Sequence, residues 1–249
     1  MNVSLYQAAS ALNANARWQE VIAGNMASSS IPGFKKQDLS FQAVQAGMLK
    51  PTTSGGIAQP ISMSTPRSHI NFAPGEIKRT DGNTDLAIEG NAFFEVQLPN
   101  GSSAYTRDGE FKLNAQGQLV TKQGYLVMGE GGSIQFDPNN STVINVAPDG
   151  TISQGSERRS KIQLTEFNDP NLLKDIGGGF YLAKDPNIQA TTEVKSSVRQ
   201  GFLEGANTTA VAEMASLINV MRAYEANQRV IQMQDDRIGR AISELGNPS

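Results

Sequence analysis

The stretch EMASLINVMRAYEANQRVIQMQDDRIGRAI, residues 213–242, constrains this chain more than any other. Met214, Leu217, Met221, Tyr224, Gln228, Ile231, Asp235, Ile238, Ile242 and Leu245 recur at alternating steps of three and four. That spacing gathers side chains on one face of an α-helix. No proline interrupts the run before Gly246 and Pro248, which act as stop signals. A helix from Ala210 to Leu245 would be about 54 Å long at 1.5 Å per residue. Glu225 with Arg229, and Asp236 with Arg240, are i,i+4 pairs in the favourable order on the outer face. Gln228 and Asp235 interrupt the apolar seam, which argues against a free-standing two-stranded coiled coil.

A second helical pattern lies at the other end. Leu5, Ala8, Leu12, Ile22 and Met26 keep the same rhythm through Asn15 and Gln19, while Ala9, Ala16 and Ala23 line one flank at sevens. Three serines and Ile31-Pro32-Gly33-Phe34 follow. Proline fixes φ and glycine accepts positive φ, so Pro32-Gly33 suits the centre of a type II turn that ends the helix.

Between the ends the period changes. Residues 35–79 are polar and carry Pro51, Pro60, Pro66 and Pro74, which reads as an extended linker with short strands. Beyond it, TDLAIEG, AFFEVQL, GQLVTK, GYLVMG, STVINV and KIQLTEF are short runs of period two. PNG, RDGE, NAQG, GEGG, DPNN and PDG punctuate them with residues that tolerate turns. The expected fold class is α+β: a discontinuous, coiled-coil-like pair of terminal helices with an inserted antiparallel β domain. The expected bounds are 1–34 plus 205–249 for the helical assembly domain, 35–79 for the linker and 80–204 for the β domain.

The long stripe needs a cover. The N-terminal helix, roughly 36 Å by the same rise, is shorter than its partner. A lone two-helix arm would bury little area per ordered residue. Neighbouring copies can supply the rest, and an interface that does not close on itself makes a helical filament. The pattern alone also admits an ordinary core or a simple dimer. The free subunit is expected to have frayed ends.

Little in the composition points to chemistry. There are no cysteines, so disulfides, thiolate metal sites and a cysteine nucleophile are excluded. The only histidine, His69, lacks partners for a triad or metal cluster and reads as an exposed loop residue. GEGGS near Gly129 lacks the Lys-Ser/Thr of a phosphate loop and reads as a β turn. Asp169, Asp175 and Asp185 do not have calcium-loop spacing. No catalytic residue, cofactor or metal is expected. A net charge of −3 gives no reason to expect a nucleic-acid partner. No run of 18 apolar residues would span a bilayer as a helix. MNVSLYQAASALNANARW has neither a basic n-region nor a continuous apolar h-region of a Sec-type signal.

Three blocks resemble bacterial flagellar rod and hook proteins. GNMASSSIPGFKK is similar to their "NLAN-x-x-TPGFK" turn, with Asn25, Ala27, Pro32, Gly33, Phe34 and Lys35 matching and Met26, Ser28 and Ile31 departing from it. TDLAIEGNAFFEVQLPNGSSAYTRDGEFKLNAQGQLVTKQGYLVMG resembles the central block through Asp85, Phe93, Phe94, Tyr105, Thr106, Arg107, Gly109, Phe111, Gly117 and Gly124, with Ala92 where glycine is common. GFLEGANTTAVAEMASLINVMRAYEANQRVI resembles the C-terminal run through Gly201, Leu203, Glu204, Asn207, Glu213, Met214, Arg222, Ala223, Tyr224, Glu225 and Asn227.

The resemblance implies a structural subunit of the basal-body rod, the driveshaft that polymerises into a helical tube and carries torque from motor to hook. It implies partners among copies of itself and other axial proteins of rod and hook. It also implies the flagellar type III export apparatus and a place in the periplasm-spanning rod without a cleaved signal peptide. Residues 38–79 do not resemble the added segment of distal rod members, which favours a proximal rod protein. A distal rod or hook subunit is the alternative, and a β-domain enzyme or carbohydrate binder with a helical oligomerisation arm a remote one. The expected assembly residues are Leu5, Leu12, Ile22, Met26, Met214, Leu217, Met221, Tyr224, Ile231, Ile238 and Ile242, and the turn residues are Asn25, Pro32, Gly33 and Phe34. Arg222, Glu225 and Asn227 are candidates for polar contacts between subunits. Phe93 and Phe94, adjacent in a strand, must face opposite sides, one filling the core and the other free to meet a neighbour.

Overall fold

The computed structural model describes residues 3–49, 59–137, 140, 142–191 and 195–245; the side chains of residues 3–6, 43–49, 59–64 and 244–245 also lie outside the description. Helix α1 spans Val3–Ser28 and α2 spans Ala210–Leu245. The stop signals Gly246 and Pro248 lie outside the described residues. Between the helices run β1 (Gln37–Leu49), β2 (Gln59–Ile70), β3 (Ile77–Arg79), β4 (Leu86–Glu89), β5 (Phe93–Gln97), β6 (Ser103–Thr106), β7 (Phe111–Leu113), β8 (Leu119–Thr121), β9 (Leu126–Gly129) and β10 (Gly132–Ser133). After them come β11 (Ile144–Val146), β12 (Thr151–Gln154), β13 (Glu157–Lys161), β14 (Leu164–Phe167), β15 (Lys174–Gly177), β16 (Phe180–Leu182), β17 (Ala190–Thr191), β18 (Ser197–Gln200) and β19 (Phe202–Glu204).

The chain forms two compact units. One holds the described residues of Met1–Ala27, Gln37–His69 and Ala210–Ser249; the other holds those of Ser28–Lys36 and Ile70–Thr209. In the first unit, α1 buries Ala8, Ala14, Asn15, Val21, Ile22 and Asn25. The ring of Trp18 meets Phe41 of β1 edge-on at 5.7 Å, and the Asn25 amide brackets the backbone of Gln37, donating to its carbonyl and accepting from its N–H at 2.8 Å each. A side-chain amide in this role imitates a neighbouring strand at the point where β1 begins. β1 and β2 pair as a two-stranded sheet of 13 and 12 residues, longer than the short strands the polar composition of 35–79 suggested. His69 is exposed, but it sits in β2 and not in a loop.

The second unit is antiparallel β. Its main sheet runs β15-β16-β6-β5-β9-β8-β7, with β10 on β9, β14 on β5 and β17 on β14. A three-stranded sheet, β11-β12-β13, and two ladders, β18-β4 and β19-β3, complete it. The six runs of period two each hold one of these strands. The expected turns close by short backbone bonds: Gly101 N–H to Leu98 O, Gly117 N–H to Asn114 O and Gly150 N–H to Ala147 O, at 2.9, 3.0 and 2.9 Å. GEGG forms the β9–β10 hairpin, with Gly132 opposite Gly129.

Alternation in β5 separates two cores. Phe94 points into the main one with Leu86, Ile88, Val96, Ala104, Phe111, Leu119, Val127, Ile134, Ile152, Phe180 and Val198. Phe93 points the other way into a smaller cluster with Leu173 and Tyr181, flanked by Ile70, Phe72, Tyr105 and Phe167. The two phenylalanines do face opposite sides, but neither is left for a neighbour. Phe93 is buried by the rings of Phe72, Phe167 and Tyr181, 5.7–6.0 Å away.

Candidate functional site

The turn after α1 is closed by the Phe34 N–H donating to the Ile31 carbonyl at 3.3 Å, with Gly33 at φ +67°. A Cβ on Gly33 would stand 2.3 Å from the carbonyl carbon of Arg107, so both the φ and the approach of a second backbone demand glycine. The Gly33 N–H donates to the Glu204 carbonyl at 2.6 Å, and the Asn207 N–H to the Phe34 carbonyl at 3.1 Å. The Asn207 side chain accepts from Lys36 N–H at 2.7 Å and donates to the carbonyls of Asn71 and Ala73 at 2.7 and 3.1 Å. Segments 33–36, 71–76 and 204–207 are thereby tied into one clasp.

A buried ion cluster sits inside it. The Lys35 ammonium pairs with Glu204 Oε1 and donates to the Ala73 carbonyl at 2.9 Å. Glu204 Oε1 also accepts from the Gly75 N–H at 2.9 Å, while Oε2 lies 3.4 Å from an Arg107 guanidinium nitrogen. The other terminal nitrogen of Arg107 donates to the Gly90 carbonyl at 2.7 Å, and its guanidinium carbon sits 4.9 Å from the centre of the Phe93 ring. All three side chains are at least 95 % buried. Burial pulls the Lys35 ammonium below the usual lysine range, and the Glu204 carboxylate opposes that pull. The Arg107 guanidinium is lowered by the same cause and supported by Glu204. Such a cluster contributes little net energy when complete, but losing one member leaves a buried charge without compensation. Tyr181, beneath it, has its hydroxyl pKa raised by burial.

Lys35, Arg107 and Glu204 come one from each of the three sequence blocks that carried the resemblance. Sequence reasoning matched these residues without seeing that they meet. Three charged residues in polar-looking turns gave no sign of burial, and Lys35 and Glu204 are 169 positions apart.

The helices are the opposite case. Along α2 the covered line runs through Glu213, Leu217, Val220, Tyr224, Asn227, Ile231 and Gln234, itself a three-four repeat. Leu217, Tyr224 and Ile231 are half-buried, while Met214 and Met221 lie one residue past this line and are 51 % and 50 % exposed. Val211, Ile218, Ile238 and Ile242 are exposed as well. On α1, Ile22 is buried, Leu12 and Met26 half-buried, and Leu5 lies among the side chains outside the description. Of the turn residues, Asn25, Gly33 and Phe34 are buried and Pro32 half-buried. Arg222 and Glu225 are exposed and Asn227 half-buried. Arg240 donates to the backbone carbonyl of Asp236, at 3.4 Å, in place of its carboxylate.

No helix among the described residues is long and apolar enough to cross a membrane. α2 keeps large apolar side chains exposed at helical spacing, a pattern that marks interaction surfaces. Comparison with known proteins identifies the family. A family model described as the flagellar hook protein FlgE/F/G D1 domain matches residues 87–154, and one described as the flagellar basal body rod FlgEFG protein C-terminal matches residues 199–244. The chain is 34 % identical over 267 positions to the flagellar basal-body rod protein FlgG of Buchnera aphidicola subsp. Acyrthosiphon pisum, covering 97 % of this chain and 99 % of that one. It is 34 % identical over 247 positions to FlgF of Caulobacter vibrioides, covering 99 % of each, and 32 % identical over 256 positions to FlgF of Escherichia coli K12, covering 97 % of each. Whole-length similarity, the two family domains and the meeting of all three blocks at one buried clasp lead to one conclusion: this chain belongs to the flagellar basal-body rod protein family and is a structural subunit of the rod.

Proposed function

We propose that the chain is a proximal rod subunit that polymerises with copies of itself, and with other rod and hook subunits, into a helical tube that passes torque from motor to hook. In this reading α1 and α2 pair in coiled-coil fashion, and residues 1–34 and 205–249 act as the assembly domain. The half-exposed apolar flank of α2 carries the argument: Met214 and Met221, with Val211 and Ile218, present a greasy strip that the subunit does not cover. Leu5, Leu12, Ile22, Met26, Leu217, Tyr224, Ile231, Ile238 and Ile242 line the seam, and Arg222, Glu225 and Asn227 make polar contacts to neighbours. The β unit, from about residue 80 to 204, is the domain inserted between the two helical segments in the chain.

The proximal position rests on residues 38–79, which do not resemble the added segment of distal rod members. The subunit reaches a periplasm-spanning rod through the flagellar type III export apparatus and works there as a structural part.

The test is a pair of substitutions, Met214→Glu and Met221→Glu. Both sites are half-exposed, so the free subunit should keep its helix content and melting temperature. Rod assembly and swimming should be lost, because two carboxylates would have to be buried in the seam. Normal motility with both substitutions would count against the reading.

A further inference from the structure

We propose that the clasp and the aromatic cluster beneath it form a satellite core that opens as one unit while the main sheet stays folded. The subunit would then have a conformational step of its own, confined to the segments that lead out of α1 and into α2.

Four observations support the separation. The cores lie on opposite faces of β5, so the Phe93 cluster can loosen without exposing Phe94. The clasp is built from residues 33–36, 71–76, 107 and 204–207, and ordering these short segments costs chain entropy that returns when they part. Its ion cluster is coupled: once Glu204 leaves, Lys35 is a buried cation without its paired carboxylate and Arg107 keeps only the electrostatic support of Glu166, so the members should release together. The β3–β19 ladder beside it spans three pairs, and Lys78 and Arg79 are exposed. The main sheet, by contrast, is a continuous run of seven paired strands. Short ladders at the edge of a fold are drawn from its low-stability end. The use of such a step, reorganising the chain around residues 33–36 and 204–207 as the subunit docks, rests on the assembly reading; the step itself does not.

Lys35 is a natural reporter, because its side chain is fully buried when the clasp is closed. Full-length free subunit is treated with an amine-acylating reagent over a series of urea concentrations, and labelling of Lys35 is read by mass spectrometry against the exposed Lys122. Hydrogen exchange of the β5 and β9 amides is followed in parallel. Lys35 should become reactive through an opening at least tenfold more frequent than the one that exchanges β5 and β9, with a weaker dependence on urea. Glu204→Gln should raise Lys35 labelling at least another tenfold and leave β5 and β9 unchanged. Equal opening frequency and equal urea dependence in the unsubstituted protein would overturn the proposal, and that comparison decides even if the variant does not fold. Because the measurement is made on free subunit, it stands whether or not the rod forms as proposed.

Discussion

The helical unit and the β unit solve the burial problem in opposite ways. Inside the β unit most large apolar side chains find partners locally: Phe94 meets Phe111 at 5.0 Å, Tyr125 meets Phe180 at 5.2 Å, and even the outward Phe93 is enclosed by rings, while Leu113, Val143 and Ile176 stay exposed. Along α2, large apolar residues remain in water at a regular spacing. The first region holds a packed core, and in the assembly proposed above the second is half of an interface. Substitutions in the β unit should therefore be felt as stability of the free subunit, and substitutions on the exposed flank of α2 as assembly.

The sharpest way to break this contrast is to compare Phe94→Ala with the Met221→Glu variant. Removing a fully buried ring from the main core should destabilise the β unit by about 4 kcal/mol, measured by urea denaturation. Met221→Glu should shift the same midpoint by less than about 0.5 kcal/mol while assembly fails. If both cost similar stability, α2 is a core helix and the contrast collapses.

Gly33→Val probes the clasp. The substitution meets a positive φ and the Arg107 backbone together, so a loss of about 3 kcal/mol is expected, with the amides of residues 33–36 and 202–207 losing protection first. Full protection there would show that the turn relaxes freely.

The smallest effect is electrostatic. Burial raises the Asp108 carboxyl from 3.8 to about 6, against an opposing hydrogen bond from the Glu110 N–H. The folded chain thus binds this proton more tightly than the unfolded one, and the contribution of Asp108 to stability falls as pH rises from about 4 to about 6. Asp108→Asn keeps an oxygen for the Glu110 N–H and has no charge to bury. It should gain about 2 kcal/mol over the unsubstituted protein at pH 7 and nothing below about pH 4. Denaturation curves at the two pH values measure the difference directly, and a gain independent of pH would assign it to packing.

What could be read from the sequence divides along the same line. Helices α1 and α2 announce themselves because their apolar residues keep one period for many turns. β4, β5, β8, β9, β11 and β14 do so because alternation and turn residues frame them. The long strands β1 and β2 were muted by their polar, proline-marked sequence, and β18 (SVRQ) and β19 (FLE) by the lack of an alternating apolar run. The clasp was hidden for a different reason. Burial of Lys35, Arg107 and Glu204 is a property of three distant segments meeting, and no local pattern encodes it. The repeat on α2 was legible, but which of two adjacent faces is covered in the subunit was not: Val220, rather than Met221, takes the buried position.

Oxidative footprinting of methionine tests the central claim most directly. Met214 and Met221 should oxidise readily in the free subunit, where each is about half exposed, and should be protected at least tenfold in isolated basal bodies. Equal oxidation of both residues in the two states would mean that the apolar flank of α2 stays wet in the rod, and the account of this helix as an assembly surface would be wrong.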